Sequence, residues 1–375
     1  MRKVKVGDII RVSKGRKATH VTNIKIENAL RYIQIEDLRS DNILQYSLDK
    51  NGVFVDASDI CIAWDGANAG TVGYGLSGII GSTIARLRLE DKSIYTPYVG
   101  RFLQTKFHIL NGKTTGTTIP HVERSRLDNL ELSLPSFGEQ RRIAAILDKA
   151  DAIRRKRQEA LKLADALVKS RFIEMFGDPV TNPMGWERGT IRDITDDVRY
   201  GTSKPASDHG KYAYLRMNNI TYSGELDLSD LKSIDMPDSE VEKYIVRDGD
   251  VLFNRTNSKE LVGKTCVFKS DTPMVIAGYI IRLRVNNRAT PTYLSAFLNS
   301  DYGKLTLRGM CKSIIGQANI NAQELQSIKI LIPPIALQNH FASFIEQVDK
   351  SKFAMQRQLA EAEASKASLM QQFFS

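Results

Sequence analysis

Two sets of polar side chains, on loops that recur in the same order in both halves of the chain, carry the hydrogen-bonding groups that can read a nucleic acid. The first set holds Lys14 and Lys17 in the loop Ser13 to Lys17, and Trp64 and Asn68 in the loop that those two residues bound. Lys113, Thr117 and His121 lie in or just after the loop Lys113 to Thr118. The second set holds Lys204 in the loop Tyr200 to Lys204 and Arg216 in the run Tyr214 to Ile220. It continues with Asn254, Arg255, Thr256 and Asn257 in the loop Asn254 to Lys259, and with Lys312, Gln317 and Asn319 in the loop that closes the half. Lys and Arg suit phosphate oxygens, an arginine fork matches the two major-groove acceptors of guanine, and an Asn or Gln amide matches adenine. Any one of these loops reads equally well as ordinary solvated surface; their recurrence points to binding.

Motifs for other chemistry fall short. Gly73-x-Gly75-x-x-Gly78 has the spacing of a dinucleotide loop, but the β-like run Ile79 to Leu89 follows it where a helix N-terminus must stand. Gly112-Lys113-Thr114 and Gly263-Lys264-Thr265 resemble the end of a phosphate loop, yet Phe107 and Ser258 occupy the place of its first glycine. The histidines His20, His108, His121, His209 and His340 lack any metal-ligand spacing, so no metal site is expected. Asn182-Pro183-Met184 only half resembles an amino-methyltransferase signature. No catalytic residues are therefore assigned, and no cofactor is expected on this chain.

The elements that must hold the loops are set by an internal repeat. From Phe137 to Gly177 the sequence runs without proline and, past Gly138, without glycine. Apolar residues recur at helical spacing, among them Ile143, Ile146, Leu147, Ala150 and Ile153. The C-terminal stretch is a second copy. Pro135 matches Pro333, Gln140 matches Gln338, Ala144 matches Ala342, Asp151 matches Asp349, and Phe176 matches Phe374, each pair 198 positions apart. Each copy is a long helix that needs a partner for its apolar stripe, and the other copy is the obvious one. The expected architecture is α+β, with four segments. A globular region covers 1–135, a long helix 136–177, a second globular region 178–333, and a second long helix 334–375.

Landmarks repeat between the globular regions. Asp8-Ile9 answers Asp193-Ile194, the strand-like run Arg31 to Leu38 answers Tyr214 to Ile220, and Asp59 to Trp64 answers Asp250 to Arg255. Ile79 to Leu89 reads as one strand, and Thr96 to Leu110 as one short helix opened by Pro97. The segment Gly177 to Trp186 is a proline- and glycine-punctuated linker.

Bulk properties agree with a polyanionic partner. The 375 residues carry 53 Lys and Arg against 43 Asp and Glu, a net charge of +10. Nucleic acid is the first expectation and an anionic membrane surface the second. The N-terminus has no apolar targeting core and no run is long enough to span a bilayer. Cys61, Cys266 and Cys311 read as reduced residues of a cytoplasmic protein. The run Arg154 to Arg157 is more simply a solvated helix face than a DNA contact.

The stretch LSLPSFGEQRRIAAILDKADAIRRKRQEALKLADALVKSRFIEMFGDP, followed by NPMGWE, resembles the central conserved region of the specificity (S) subunits of type I restriction–modification enzymes. IKILIPPIALQNHFASFIEQVD resembles their C-terminal conserved region. The resemblance implies two α/β target-recognition domains separated by two long antiparallel helices, a coiled-coil spacer with pseudo-two-fold symmetry. It also implies that each domain reads one half of a bipartite, asymmetric site on double-stranded DNA, about one helical turn from the other. The subunit would have no chemistry of its own. Two modification (methyltransferase) subunits would bring S-adenosylmethionine and methylate adenine N6 on a flipped base, and motor-nuclease restriction subunits would bring ATP and Mg. On the residues alone two other classes stay open: a self-contained DNA-modifying enzyme, and a coiled-coil scaffold that binds no DNA.

Overall fold

The structure is a computed structural model that describes residues 2–40, 44–111, 120–258, 261–311 and 318–374. The chain divides into two compact units, Met1–Gln158 with Arg357–Ser375, and Glu159–Gln356. Each has the same plan.

In the first unit an antiparallel sheet runs in the order Ile10–Lys14, Ile84–Leu89, Ile60–Ala63, Val72–Tyr74. Ile60–Ala63 is buried along its whole length, because the sheet is covered on both faces. A second sheet runs Val21–Thr22, Gln45–Ser47, Leu30–Ile33, Gly78–Ile80, Val53–Val55, with one parallel pair, Leu30–Ile33 beside Gly78–Ile80. Arg2–Lys5 pairs with Glu131–Leu134 and so ties the start of the chain to the entry of the first long helix.

The second unit repeats both sheets. One runs Thr195–Tyr200, Ile280–Val285, Val251–Asn254, Thr265–Val267; the other runs Lys232–Ile234, Tyr212–Leu215, Met274–Ile276, Ile245–Val246. Glu187–Thr190 pairs with Lys329–Ile332 at the entry of the second long helix. Three readings from the sequence are corrected. The run Arg31 to Leu38 leaves the strand after Ile33, because Asp37 turns back to accept from the Gln34 amide (2.7 Å) and the Arg31 guanidinium (2.8 Å) and closes a 3-10 turn. Ile79 to Leu89 is two strands in different sheets, separated by a turn closed by Ile84 N to Gly81 O. The helix from Thr96 ends at Thr105, and Phe107–Leu110 is a separate turn.

The long helices are Phe137–Phe176 and Ile335–Phe374, 40 residues each. Ser136 caps the first by accepting from the Glu139 amide (3.3 Å), and Gly177 ends it in the left-handed region at φ 77. Trp186 Nε1 then donates to the Phe176 carbonyl (3.0 Å), so the linker covers the helix end. In each unit the two helices run antiparallel. In the first, Lys366 pairs with Asp151 at 2.6 Å, and Ile143, Ala144 and Leu147 share a core with Leu369, Met370, Phe373 and Phe374. In the second, Lys352 pairs with Asp165 at 2.7 Å and also with Glu225, while Phe172 and Phe176 pack on Phe341 with ring centres 5.7 and 5.3 Å apart.

The repeated glutamines explain how each globular region is fixed to its helix. Gln140 is 2% exposed. Its Oε1 accepts from Tyr95 N (2.8 Å), and its Nε2 donates to Pro135 O (3.0 Å) and Ser93 O (3.4 Å). Gln338 is fully buried and makes the same three bonds, from Thr290 N (2.8 Å) and to Pro333 O (2.8 Å) and Arg288 O (2.9 Å). Each amide thus joins the start of a long helix to the segment before a short one. Cys61 and Cys266 are buried free thiols, pushed up to about 12 by burial. Among the described residues no helix is long and apolar enough to cross a membrane.

Candidate nucleic-acid interface

In each unit the recurring loops meet at one corner of the first sheet, built from three separate segments. In the first unit Trp64, just past the strand Ile60–Ala63, donates its amide to Thr83 O (2.7 Å) and accepts from Val122 N (2.8 Å). That places Asp65 beside His121 in an antiparallel bridge. Lys14, at the end of its strand, reaches Asp65 at 2.7 Å with both side chains partly exposed. Lys14, Trp64 and His121, distant in sequence, therefore come together. Asn68 lies near by and accepts from Arg39 at 3.0 Å.

The second unit builds the same corner with different side chains. Arg255 N donates to Tyr279 O (2.9 Å), and Arg255 O accepts from Ile320 N (3.0 Å), as at Trp64. Thr256–Asn257 pairs with Ala318–Asn319, where Asp65 and His121 pair in the first unit. Tyr200 takes the place of Lys14. Its ring lies 4.8 Å from the Arg255 guanidinium, and its hydroxyl accepts from Ala322 N at 2.7 Å. Among the described residues no carboxylate is paired with Arg255. A guanidinium held flat by a ring and left without a counter-charge keeps its fork free for an acceptor pair such as the guanine edge.

A glycine fixes both loops. Gly15 and Gly201 follow Lys14 and Tyr200, and a Cβ on either would lie 2.3 or 2.2 Å from a carbonyl oxygen of the facing turn, Gly81 or Ile276. We expect Gly201→Ala to cost about 1–3 kcal/mol through this overlap with backbone, read as a lower urea midpoint, and to displace Tyr200 from Arg255. An unchanged midpoint would show that the turn yields freely.

Other expected positions are not at the corner surface. Asn254 is fully buried, because it ends a strand covered on both faces; its Oδ1 accepts from Thr256 N (3.2 Å), so it shapes the turn and does not face a ligand. Thr256 is also nearly buried, at 9% exposure. Arg216 is held against Asp230, donating to its carboxylate (2.7 Å) and its carbonyl (3.0 Å), in a separate turn. Lys204 shares the Tyr200 loop but is paired with Glu240 at 2.8 Å. Lys17 is exposed on the first unit's loop. Lys113, Thr117, Lys312 and Gln317 lie outside the described residues. Tyr200 and Tyr279, 40% and 55% exposed, are the residues that reasoning by charge and amide overlooked; an aromatic residue followed by the close-packed Gly201 was the available signal. Arg154 bonds Asp151 (3.2 Å) and Gln158 (2.9 Å) along its own helix, as a solvated face would.

The comparisons with known proteins come from three directions. The family model described as the type I restriction modification DNA specificity domain matches residues 1–163 and 183–363. The chain is 24% identical to the type I restriction enzyme MjaVIII specificity subunit of Methanocaldococcus jannaschii, over 98% of this chain and 90% of that protein. It is 23% identical to the type I restriction enzyme EcoKI specificity subunit of Escherichia coli, over 92% of this chain and 83% of that one. In fold it is similar to the type I restriction–modification S subunit from M. genitalium, with a TM-score of 0.62 and 14% identity, covering 100% of this chain and 96% of that chain. A second solved chain, from work on complex assembly and conformational transition of the type I system, gives a TM-score of 0.56 at 18% identity, covering 100% and 97%.

Proposed function

The chain belongs to the type I restriction modification DNA specificity family, and from that premise we propose how it works: it supplies the address of a type I restriction–modification enzyme and none of its chemistry. Each unit reads one half of a bipartite, asymmetric site on double-stranded DNA at the three-segment corner described above. The observation that carries this reading is the equivalence of the two corners in backbone and their difference in side chains. Lys14, Trp64, Asp65 and His121 in one stand where Tyr200, Arg255, Thr256 and Asn319 stand in the other. One scaffold holding two chemistries suits two unlike half-sites, where a homodimer would demand a palindrome.

The remaining parts of the proposal concern partners. Two modification subunits would dock on the long helices and carry S-adenosylmethionine, and motor-nuclease restriction subunits would carry ATP and Mg. The chain itself holds no cofactor in this scheme. The long helices set the number of base pairs between the half-sites.

The deciding experiment is a salt titration of duplex binding by the full chain. Affinity should fall steeply with salt, at about 0.9 log units per log unit of salt for each phosphate contacted. A flat response would favour a scaffold without DNA binding, and methyl transfer or cutting by the chain alone would favour a self-contained enzyme. Inserting four residues near Ala160, about one helical turn, should lengthen the gap in the methylated site and leave both half-sites as they were. A gap that stays the same would remove the helices as the ruler.

A further inference from the structure

Beside the turn that carries Arg255, the second unit gathers cations that the corner does not use. Across the hairpin, Asn254 N donates to Lys264 O and Gly263 N to Asn254 O, both at 2.9 Å. Lys264 is 9% exposed, and its ammonium is held by the Met217 carbonyl at 2.7 Å. Lys304, on the helix Asp301–Met310, donates to the Gly263 carbonyl at 2.7 Å and lies 5.7 Å from the centre of the Tyr222 ring. Arg308, one turn further on, is exposed and donates to the Tyr222 hydroxyl at 3.3 Å. Among the described residues Lys264, Lys304 and Arg308 have carbonyls, a ring and a hydroxyl for partners, and no carboxylate. Lys169 also comes close, paired with Asp301 at 2.8 Å.

Neutral partners satisfy N–H groups but do not cancel charge, so three cations so placed repel one another, more strongly the less water separates them. The effect is visible at Lys304, which burial, with Arg308, Lys169 and Lys264 adding to it, holds down to about 8. A bound anion would relieve this repulsion. The kind of anion follows from position. Gly263 and Lys264 belong to the same hairpin as Arg255, and the helix carrying Lys304 and Arg308 precedes Ala318–Asn319, the strand that completes the corner. In the first unit the equivalent helix is only Phe107–Leu110, so this cluster belongs to one half of the molecule.

We propose that Lys304 and Arg308, backed by Lys264 and Tyr222, form a cradle for a backbone phosphodiester of duplex DNA, flanking the bases read at Arg255. The proposal rests on the DNA-reading function above and adds a sequence-independent grip on one side only. An acidic surface on a protein partner is the competing occupant, and the test separates the two.

Binding of the full chain to two duplexes, one with its methylated site and one unrelated, is followed over a salt series. For Lys304→Met with Arg308→Gln, affinity should fall alike on both duplexes. The slope of log K against log salt should flatten by about two units, at about 0.9 per phosphate lost. Arg308→Gln alone, at an exposed position, should give about half that change, and Lys304→Arg with Arg308→Lys should restore the parental slope. Equal melting temperatures establish that the variants are folded. An unchanged slope with steep parental binding overturns the cradle, leaves the reading function standing and hands the cluster to an acidic protein surface. A loss confined to the cognate duplex also overturns it, since phosphates carry no sequence. A parent that binds no duplex sinks the cradle and the reading function together.

Discussion

Replacing Gln338 by leucine should destabilise the second unit by about 3–6 kcal/mol, the largest loss expected from any single uncharged substitution at the helix entries. Leucine has nearly the volume of glutamine, so no large cavity opens and the loss reports hydrogen bonding. The substitution orphans three main-chain groups at once, Thr290 N, Arg288 O and Pro333 O, around a side chain with no solvent exposure. A buried donor or acceptor left unpaired costs about 1–3 kcal/mol, and three in one place exceed what a single entering water can satisfy. Urea unfolding of the full chain reads the result. Gln338→Glu offers a stricter check, because it keeps the acceptor for Thr290 N and removes only the donor to the two carbonyls, so at low pH it should recover part of the loss. A loss below about 1 kcal/mol for the leucine variant would mean that water reaches the site and that the repeated glutamine is not a clamp. Gln140, bound in the same pattern but with its Ser93 contact at 3.4 Å, should show the same effect in the first unit at a smaller size.

Arg255→Ala should change which bases are accepted in one half-site and leave the other untouched. The guanidinium has no carboxylate partner among the described residues and lies 4.8 Å from the centre of the Tyr200 ring. Its orientation is therefore paid for before DNA arrives. A bidentate contact of this type discriminates by about 1–3 kcal/mol, roughly 5- to 150-fold in affinity. Methylome sequencing of cells that make the variant with its partner subunits should show relaxed choice at one position and an unchanged gap. If affinity falls equally for every sequence, Arg255 grips phosphate and the assignment to bases is wrong. Tyr200→Leu should weaken the same position by a smaller factor, since it frees the guanidinium without removing it. Tyr200→Phe, which keeps the ring, should leave base choice as it was.

The overall plan was legible because it is written in local, periodic signals. A 198-residue repeat, two proline-free helical runs and the doubled Pro-x-x-x-x-Gln entry required nothing beyond counting along the chain. The same counting placed the binding loops in matched order. It failed where a residue's role depends on a distant neighbour. The run Arg31 to Leu38 alternates like a strand, but Asp37 finds a better use in capping its own turn. Ile79 to Leu89 looks continuous because both of its strands are apolar, and only the sheets they join show that there are two.

The same distinction runs through the candidate site. The sequence by itself determined that two similar halves exist, that each ends in a long helix, and that the polar loops between elements differ from half to half. Helical periodicity and turn residues act over a few positions, so they survive in one dimension. Only the tertiary structure decided that Lys14, Trp64 and His121 share a corner, that Tyr200 stacks on Arg255 beside Asn319, that Asn254 turns inward, and that Arg216 is spent on Asp230. Those partners are brought together by strand register and by the close approach of Gly15 and Gly201 to a facing turn. Such contacts follow from how whole sheets close on each other, which no short window of residues encodes.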